Sequence, residues 1–308
     1  MPIMDSRDET PSGGNILFTS PHCLLDFTAG AAVATARTLE LLAGLGFPCH
    51  AFCGTLCDAP IALDALLARL PHATRPGVRI VETALEGAGW VPVSMFFAAK
   101  PAPRAFIEAF TGLLDLVRPA VLLTYGGDPL SRAIREIARS RGASVVFLLH
   151  NFAYDKAATF ESVDYAVVPS EFSRRHFAAK LGLACHVLPY VIDPRQVGGG
   201  KGPHPNPLPE GEGTVGPGPV TEGEGGFLFD IPAQYTPETR ELSTAEEVGP
   251  WVQTIARLWD DTAYYERWSR TARERARQWH PDRLAPVYCE LFAGISRQPR
   301  QPLAPRES

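Results

Sequence analysis

No run of apolar residues in this 308-residue chain approaches the ~20 that a bilayer span requires. The first fifteen residues are polar and acidic and lack the apolar centre of a secretory leader. The expected location is therefore the cytoplasm, with any membrane contact peripheral. Basic charge is not in excess: 29 Lys and Arg against 34 Asp and Glu leave a formal net charge of −5. An extended phosphate-binding footprint is thereby excluded, and no nucleic-acid partner is expected. Cysteine is sparse, at positions 23, 49, 53, 57, 185 and 289. Cys49, Cys53 and Cys57 are spaced by four, and three thiolates on one strand face could be imagined around a metal. The paired spacing of a zinc site is missing, so small buried thiols are the plainer reading. The sequence contains no nucleophile–base pair within one motif and no metal set. No metal and no resident cofactor are expected.

What is present is alternation. Short apolar runs at 16–19, 49–54, 79–83, 90–97, 120–124, 145–149, 165–168 and 186–188 read as strands. Between them, 28–45, 60–70, 103–116, 129–141 and 171–181 carry helical spacing. The segments 79–83 and 90–97 look like a hairpin-like excursion. Asp128 before Pro129, and Ser170 before Glu171, stand where helix caps belong. Several strands are apolar throughout, which indicates burial on both faces, as in a parallel sheet between helices. The expected fold is α/β: a Rossmann-like, doubly wound parallel sheet over residues 14–193. No GxGxxG follows its first strand, so the dinucleotide fingerprint is absent.

The pattern breaks after 193. Residues 198–226 hold 11 Gly and 6 Pro and no aromatic residue, and an Glu-Gly-Glu-Gly tetrapeptide recurs at 210 and 222. Such a segment cannot bury enough apolar surface to offset its ordering entropy, and 194–226 reads as a disordered linker. Residues 1–13 and 297–308 read as tails. A C-terminal part, 227–296, has one expected strand at 227–231 and helices at 245–259, 263–279 and 283–295. Thr244 and Glu247 form a capping box for the first of them. Its stripe of Val248, Val252, Ile255 and Leu258 needs cover, and so does Leu284, Tyr288, Leu291 and Phe292 on the last helix. Both are expected to find that cover on the first domain.

Four stretches together resemble a known family. The strand 16–19 runs through Ser20-Pro21-His22 to Ala29-Gly30-Ala31-Ala32. The second is Leu148-Leu149-His150-Asn151, and the third is the stretch 167–175, which reads VVPSEFSRR. The fourth is 187–193, which reads VLPYVID. In this order they resemble the GT-B glycosyltransferases of family 4, with Tyr190-Val191 where that family usually has Asn-Gly. The resemblance implies a two-lobed enzyme that moves a sugar from a nucleotide-sugar donor to a glycan or lipid acceptor without a bound metal. By the same resemblance the first lobe holds the acceptor, and His150 touches the transferred sugar or positions the acceptor. The family's donor-side basic pair and Glu-x7-Glu do not appear in a plausible setting, and the low-complexity segment stands in their place. The C-terminal part is then a mostly helical remnant of the second lobe. A catalytically inactive chain that only binds an acceptor or a partner is the alternative.

The candidate site residues follow strands. In a doubly wound sheet the binding crevice lies beyond the carboxyl ends of the strands. His22 and Gly30 follow the first strand, and Gly30 permits close backbone approach at a helix start that offers N–H groups. A plain tight turn serves as well. Gly126, Gly127 and Asp128 follow another strand, and Asp128 is expected chiefly as an N-cap. His150 and Asn151 follow a third; a hydrogen-bonded structural histidine is the alternative for His150. Together, His22, Gly30, Gly126 and His150 should line one cleft.

Overall fold

The computed structural model describes residues 14–26, 28–57, 72–75, 78–85, 93–98, 103–192, 227 and 242–297. These fall into two compact units. One contains the described residues up to Val191 together with Leu284 onward, and the other contains Ile192, Phe227 and 242–283. The tails, the low-complexity segment, the helix expected at 60–70 and most of the strand expected at 227–231 lie outside the described residues.

The first unit is built on one sheet. Its strands are β1 (Ile16–His22), β2 (Cys49–Leu56), β3 (His72–Arg75), β4 (Val78–Leu85), β5 (Val93–Ala98), β6 (Val121–Thr124), β7 (Ser144–Leu148), β8 (Tyr165–Val168) and β9 (Cys185–Val187). Their order is β3-β4-β5-β2-β1-β6-β7-β8-β9. From β5 to β9 every pairing is parallel, while β4 pairs antiparallel with both β5 and β3. The chain thus starts in the middle of the sheet, builds outward to one side through β2, then returns to the other side of β1 at β6. The seven-strand parallel run explains why the central strands are apolar on both faces. The β4–β5 hairpin matches the expected excursion, and β3 adds a strand that the sequence did not signal.

Helices cover both faces. Against one lie α2 (Pro103–Val117), α3 (Pro129–Ser140) and α4 (Glu171–Leu181). Phe106, Phe110 and Leu114 of α2, Ile134 of α3 and Phe177 of α4 pack there with Leu17, Leu122, Phe147 and Val168. The alternate strand residues Phe18, Ala51, Leu123 and Val146 are equally buried on the other face. Among the described residues two helices contribute to that side, α1 (Gly30–Gly44) with Leu39 and Leu42, and the final helix α7 (Pro281–Arg297). In α7, Leu284, Tyr288, Phe292 and Ile295 are buried and Leu291 is half-buried. The Phe292 ring meets Phe47 edge-on at 6.4 Å, and the Tyr288 hydroxyl donates to the Pro189 carbonyl at 2.8 Å. The last helix therefore does pack on the first domain, as its apolar stripe requires.

Caps set the helix starts. Asp128 Oδ1 accepts from the Ser131 N–H at 3.0 Å, with Pro129 in the first turn, and Ser170 Oγ accepts from the Ser173 N–H at 3.1 Å. Gly182, at φ 67°, closes α4 in the left-handed conformation that only glycine adopts cheaply.

The second unit contributes α5 (Ala245–Asp260) and α6 (Thr262–Ala276), which ends in a 3₁₀ turn at Arg277–Trp279. The Thr244/Glu247 capping box forms. The expectation that the α5 stripe is hidden is not met: Val248, Val252 and Ile255 are exposed, as are Trp251 and Trp259, and Leu258 is only half-buried. Within its unit, α5 meets α6, whose surface is mostly Arg and Glu. That surface offers rings for Arg257 to stack on, such as Tyr264 at 4.1 Å, but little aliphatic cover.

Candidate functional site

Because β1, β6 and β7 are parallel neighbours, their last residues emerge at one edge. That edge is the place where the strand order reverses around β1, the position at which open α/β sheets bind ligands. His22 ends β1 and is exposed; Gly126, Gly127 and Asp128 follow β6; His150 and Asn151 follow β7. Gly30 is the first residue of α1, beside an Ala29 cap that offers no side-chain hydrogen bond.

A file of rings runs along this edge. His22 lies 6.3 Å from Tyr125 between ring centres. Tyr125 meets His150 edge-on at 5.4 Å, and His150 stacks on Tyr190 at 5.7 Å. Phe18 supports Tyr125 from within the sheet at 5.4 Å.

His150 is held on both nitrogens. Thr35 Oγ1 already donates to the Ala31 carbonyl of its own helix at 2.7 Å, so its hydroxyl proton is used. It can then only accept from His150 Nε2, 3.2 Å away. This assigns the proton to Nε2 and leaves Nδ1 to accept from the Tyr190 hydroxyl at 2.8 Å. Burial pushes the imidazole down to about 4, so the ring is neutral at ordinary pH. Burial likewise raises the Tyr190 phenol, which stays a donor. His150 thus ties α1 and β7 to the segment that follows β9. A hollow beside it is lined by Thr38, Leu148, Pro169, Leu188, Tyr190 and Tyr288 among others.

The β6–α3 loop is fixed from below. Arg135 of α3 is fully buried. Its Nη1 donates to the Gly126 carbonyl at 2.7 Å, Nη2 to the Thr159 carbonyl at 3.0 Å, and Nε to Ser162 Oγ at 3.2 Å. The guanidinium also lies over the Phe147 ring at 5.3 Å. Burial lowers its pKa to about 10, which still leaves it cationic. Gly126 takes φ +101°, and its N–H donates to the Tyr154 hydroxyl at 3.3 Å. A Cβ there would come within 2.6 Å of Ser131 Oγ, so the turn demands glycine.

Asp128 is the N-cap that its position suggested. Partial burial works to raise its carboxyl, but the Ser131 hydroxyl, at 2.5 Å, and backbone N–H groups outweigh this and hold it below the usual range. Asn151 Oδ1 accepts from the Ala153 N–H at 3.1 Å, in a short turn. The arrangement therefore brings His22, Gly126 and His150 to one edge, with Gly30 opening the helix whose Thr35 reaches His150. Among the described residues no group of three or more His, Cys, Asp or Glu could hold a metal ion.

Sequence reasoning missed Thr35, Tyr125, Arg135 and Tyr154. It flagged Tyr190 only as a departure from the family's Asn, and that substitution supplies the partner of His150. A buried arginine in a segment with Arg at 132, 135, 139 and 141 carries no signal that separates it from its less buried neighbours.

No family model and no curated protein matches the chain. Among solved structures it is similar to the trehalose-6-phosphate protein from E. coli bound with UDP-2-fluoro glucose, at a TM-score of 0.33 and 10% identity. That match covers 60% of this chain and 50% of the other. It is also similar to an alpha,alpha-trehalose-phosphate synthase (UDP-forming) from Burkholderia xenovorans in complex with glucose-6-phosphate. The TM-score is again 0.33 and the identity 10%, over 60% of this chain and 51% of the other. The chain spans about half the length of the structures that it matches.

Proposed function

We propose that the chain is a GT-B-type glycosyltransferase-family protein whose first unit is the acceptor-binding lobe. The observation that carries this is the file His22–Tyr125–His150–Tyr190 at the point where the strand order reverses. The exposed His22 ring, backed by the buried Tyr125, suits the C–H face of a sugar, and backbone groups of Gly30 and Gly127, with the remaining lone pair of the Gly126 carbonyl, offer hydrogen bonds to its hydroxyls. Asp128 and Asn151 stand at the rim of the same surface, already engaged in capping and turning the chain. His150 acts here as a positioning residue, because both of its nitrogens are committed within the fold.

In this reading the acceptor is a glycan or a glycan-bearing lipid, bound in the cytoplasm, with a nucleotide sugar as the donor of any transfer. GT-B transfer needs cationic and N–H groups on the leaving diphosphate. The sequence offers no basic pair with a Glu-x7-Glu in a setting that could present them. We therefore expect acceptor binding without turnover by this chain alone.

The test combines two measurements on the full chain. Calorimetric titration with a panel of oligosaccharides should show binding that weakens about tenfold in His22→Ala, a loss of roughly 1.4 kcal/mol. Release of nucleoside diphosphate from several nucleotide sugars should stay at the buffer rate. Sugar binding that ignores Tyr125→Ala and His22→Ala removes the site assignment. Sustained diphosphate release shows an active donor site and overturns the acceptor-only reading.

A further inference from the structure

The carboxyl edge of β1 also carries chemistry that the proposed function does not use. The β1–β2 pairing is interrupted: Ser20 pairs with Cys53, but His22 pairs with Leu56, so β2 gains one residue opposite Pro21. This bulge depends on Gly54, where a Cβ would fall on the Pro21 carbonyl oxygen. Without it Cys23 would face Leu56. With it, the register past the strand ends sets Cys23 against Cys57. The backbone agrees, since the Cys23 N–H donates to the Leu56 carbonyl at 2.7 Å. The two side chains lie within hydrogen-bonding reach of each other. Cys23 is wholly buried, and Cys57 keeps partial access to solvent.

We propose that Cys23 and Cys57 form an oxidisable pair, a modification site at which a peroxide converts two thiols into a disulfide that staples β1 to β2. Cysteines next to each other at the ends of adjacent parallel strands meet the reach that a disulfide needs. The solvent-accessible Cys57 sulfur attacks the peroxide O–O bond and becomes a sulfenic acid, releasing water. The Cys23 sulfur then attacks the Cys57 sulfur. The S–S bond forms as the S–O bond breaks, and the hydroxyl leaves as a second water with the Cys23 proton. The two cysteines lose two electrons and the peroxide gains them. Burial pushes the Cys23 thiol up to about 12, with the Cys57 sulfur a lesser contributor. The second step is therefore slow, and the pair responds to sustained oxidant and not to brief exposure. Cys53 stands in register with Ser20 and not with a cysteine, and burial raises its own thiol, with the Cys23 sulfur a lesser contributor, so it has no facing thiol to bridge to.

The experiment treats the full-length protein with excess hydrogen peroxide, blocks remaining thiols with an alkylating reagent and maps peptides by mass spectrometry. The expected product is a dithiothreitol-reversible peptide pair joining Cys23 to Cys57, with two fewer alkylated thiols. The bridged protein should melt about 5 °C or more above the reduced form. In Cys57→Ser, where partial exposure makes folding secure, the pair and the melting shift should both vanish, while Cys53→Ser retains them if it folds. Six alkylatable thiols after peroxide, or a bridge that joins Cys53, Cys185 or Cys289 instead, overturns the proposal.

Discussion

His150 shows how one side chain can couple local chemistry to stability. Its folded pKa of about 4 lies below the ordinary value of 6.5, because burial penalises the charged ring. The unfolded chain therefore binds the proton more readily between those two values. The contribution is whole above the ordinary value and is lost as pH falls from there toward 4. The shift corresponds to about 3 kcal/mol. His50 and His186 are lowered for the same reason and act in the same direction, so the variant comparison isolates His150. Urea midpoints at pH 7 and pH 4.5 should converge in His150→Gln relative to the unsubstituted chain; an unchanged difference would refute the assignment. Tyr190→Phe leaves His150 Nδ1 buried without its donor and should cost about 1–3 kcal/mol at neutral pH. Of this arrangement, the sequence showed His150 at the end of an apolar strand. It could not show Thr35 or Tyr190, which lie 115 and 40 residues away and meet it only through the fold.

Elements were more legible than contacts. The helix starts at Asp128, Ser170 and Thr244 follow from local hydrogen bonding, which depends on three or four residues and so is written in the sequence. The parallel strands were readable because burial on both faces forces continuous apolar runs. β3 was not, since His72-Ala-Thr-Arg75 is half polar and is strand only through its pairing with β4. The two apolar helix stripes of the C-terminal part look alike in sequence yet differ in outcome. Phe292 of α7 is fully buried, whereas Ile255 of α5 is exposed. Phe292→Ala should lower stability by about 3–5 kcal/mol through the cavity beneath Phe47. Ile255→Asp should change it by no more than about 0.5 kcal/mol. Equal thermal shifts in the two variants would contradict that contrast.

For the molecule as a whole, the division of the chain does not follow its linear order. The first unit takes its sheet from residues before 192 and part of its cover from residues after 283. Periodicity alone could announce that α7 needs a partner, but the partner surface, with Phe47 and Pro189, is assembled from distant segments. That dependence predicts the behaviour of shortened chains. A protein ending at Val191 should lack the cover that Leu284, Tyr288, Phe292 and Ile295 give one face of the sheet. At ~25 cal/mol per Å² of apolar surface, four uncovered side-chain footprints amount to several kcal/mol, a large part of an ordinary domain's net stability. Such a chain should aggregate or melt without a cooperative transition. A second chain, in which a Gly/Ser linker replaces 192–283 and α7 is retained from Leu284, restores the cover without the second unit. It should unfold in one cooperative step, followed by circular dichroism, at a temperature near that of the first unit in the full chain. If the chain ending at Val191 proves as stable as the linked one, α7 is an attachment and not part of the first unit's core.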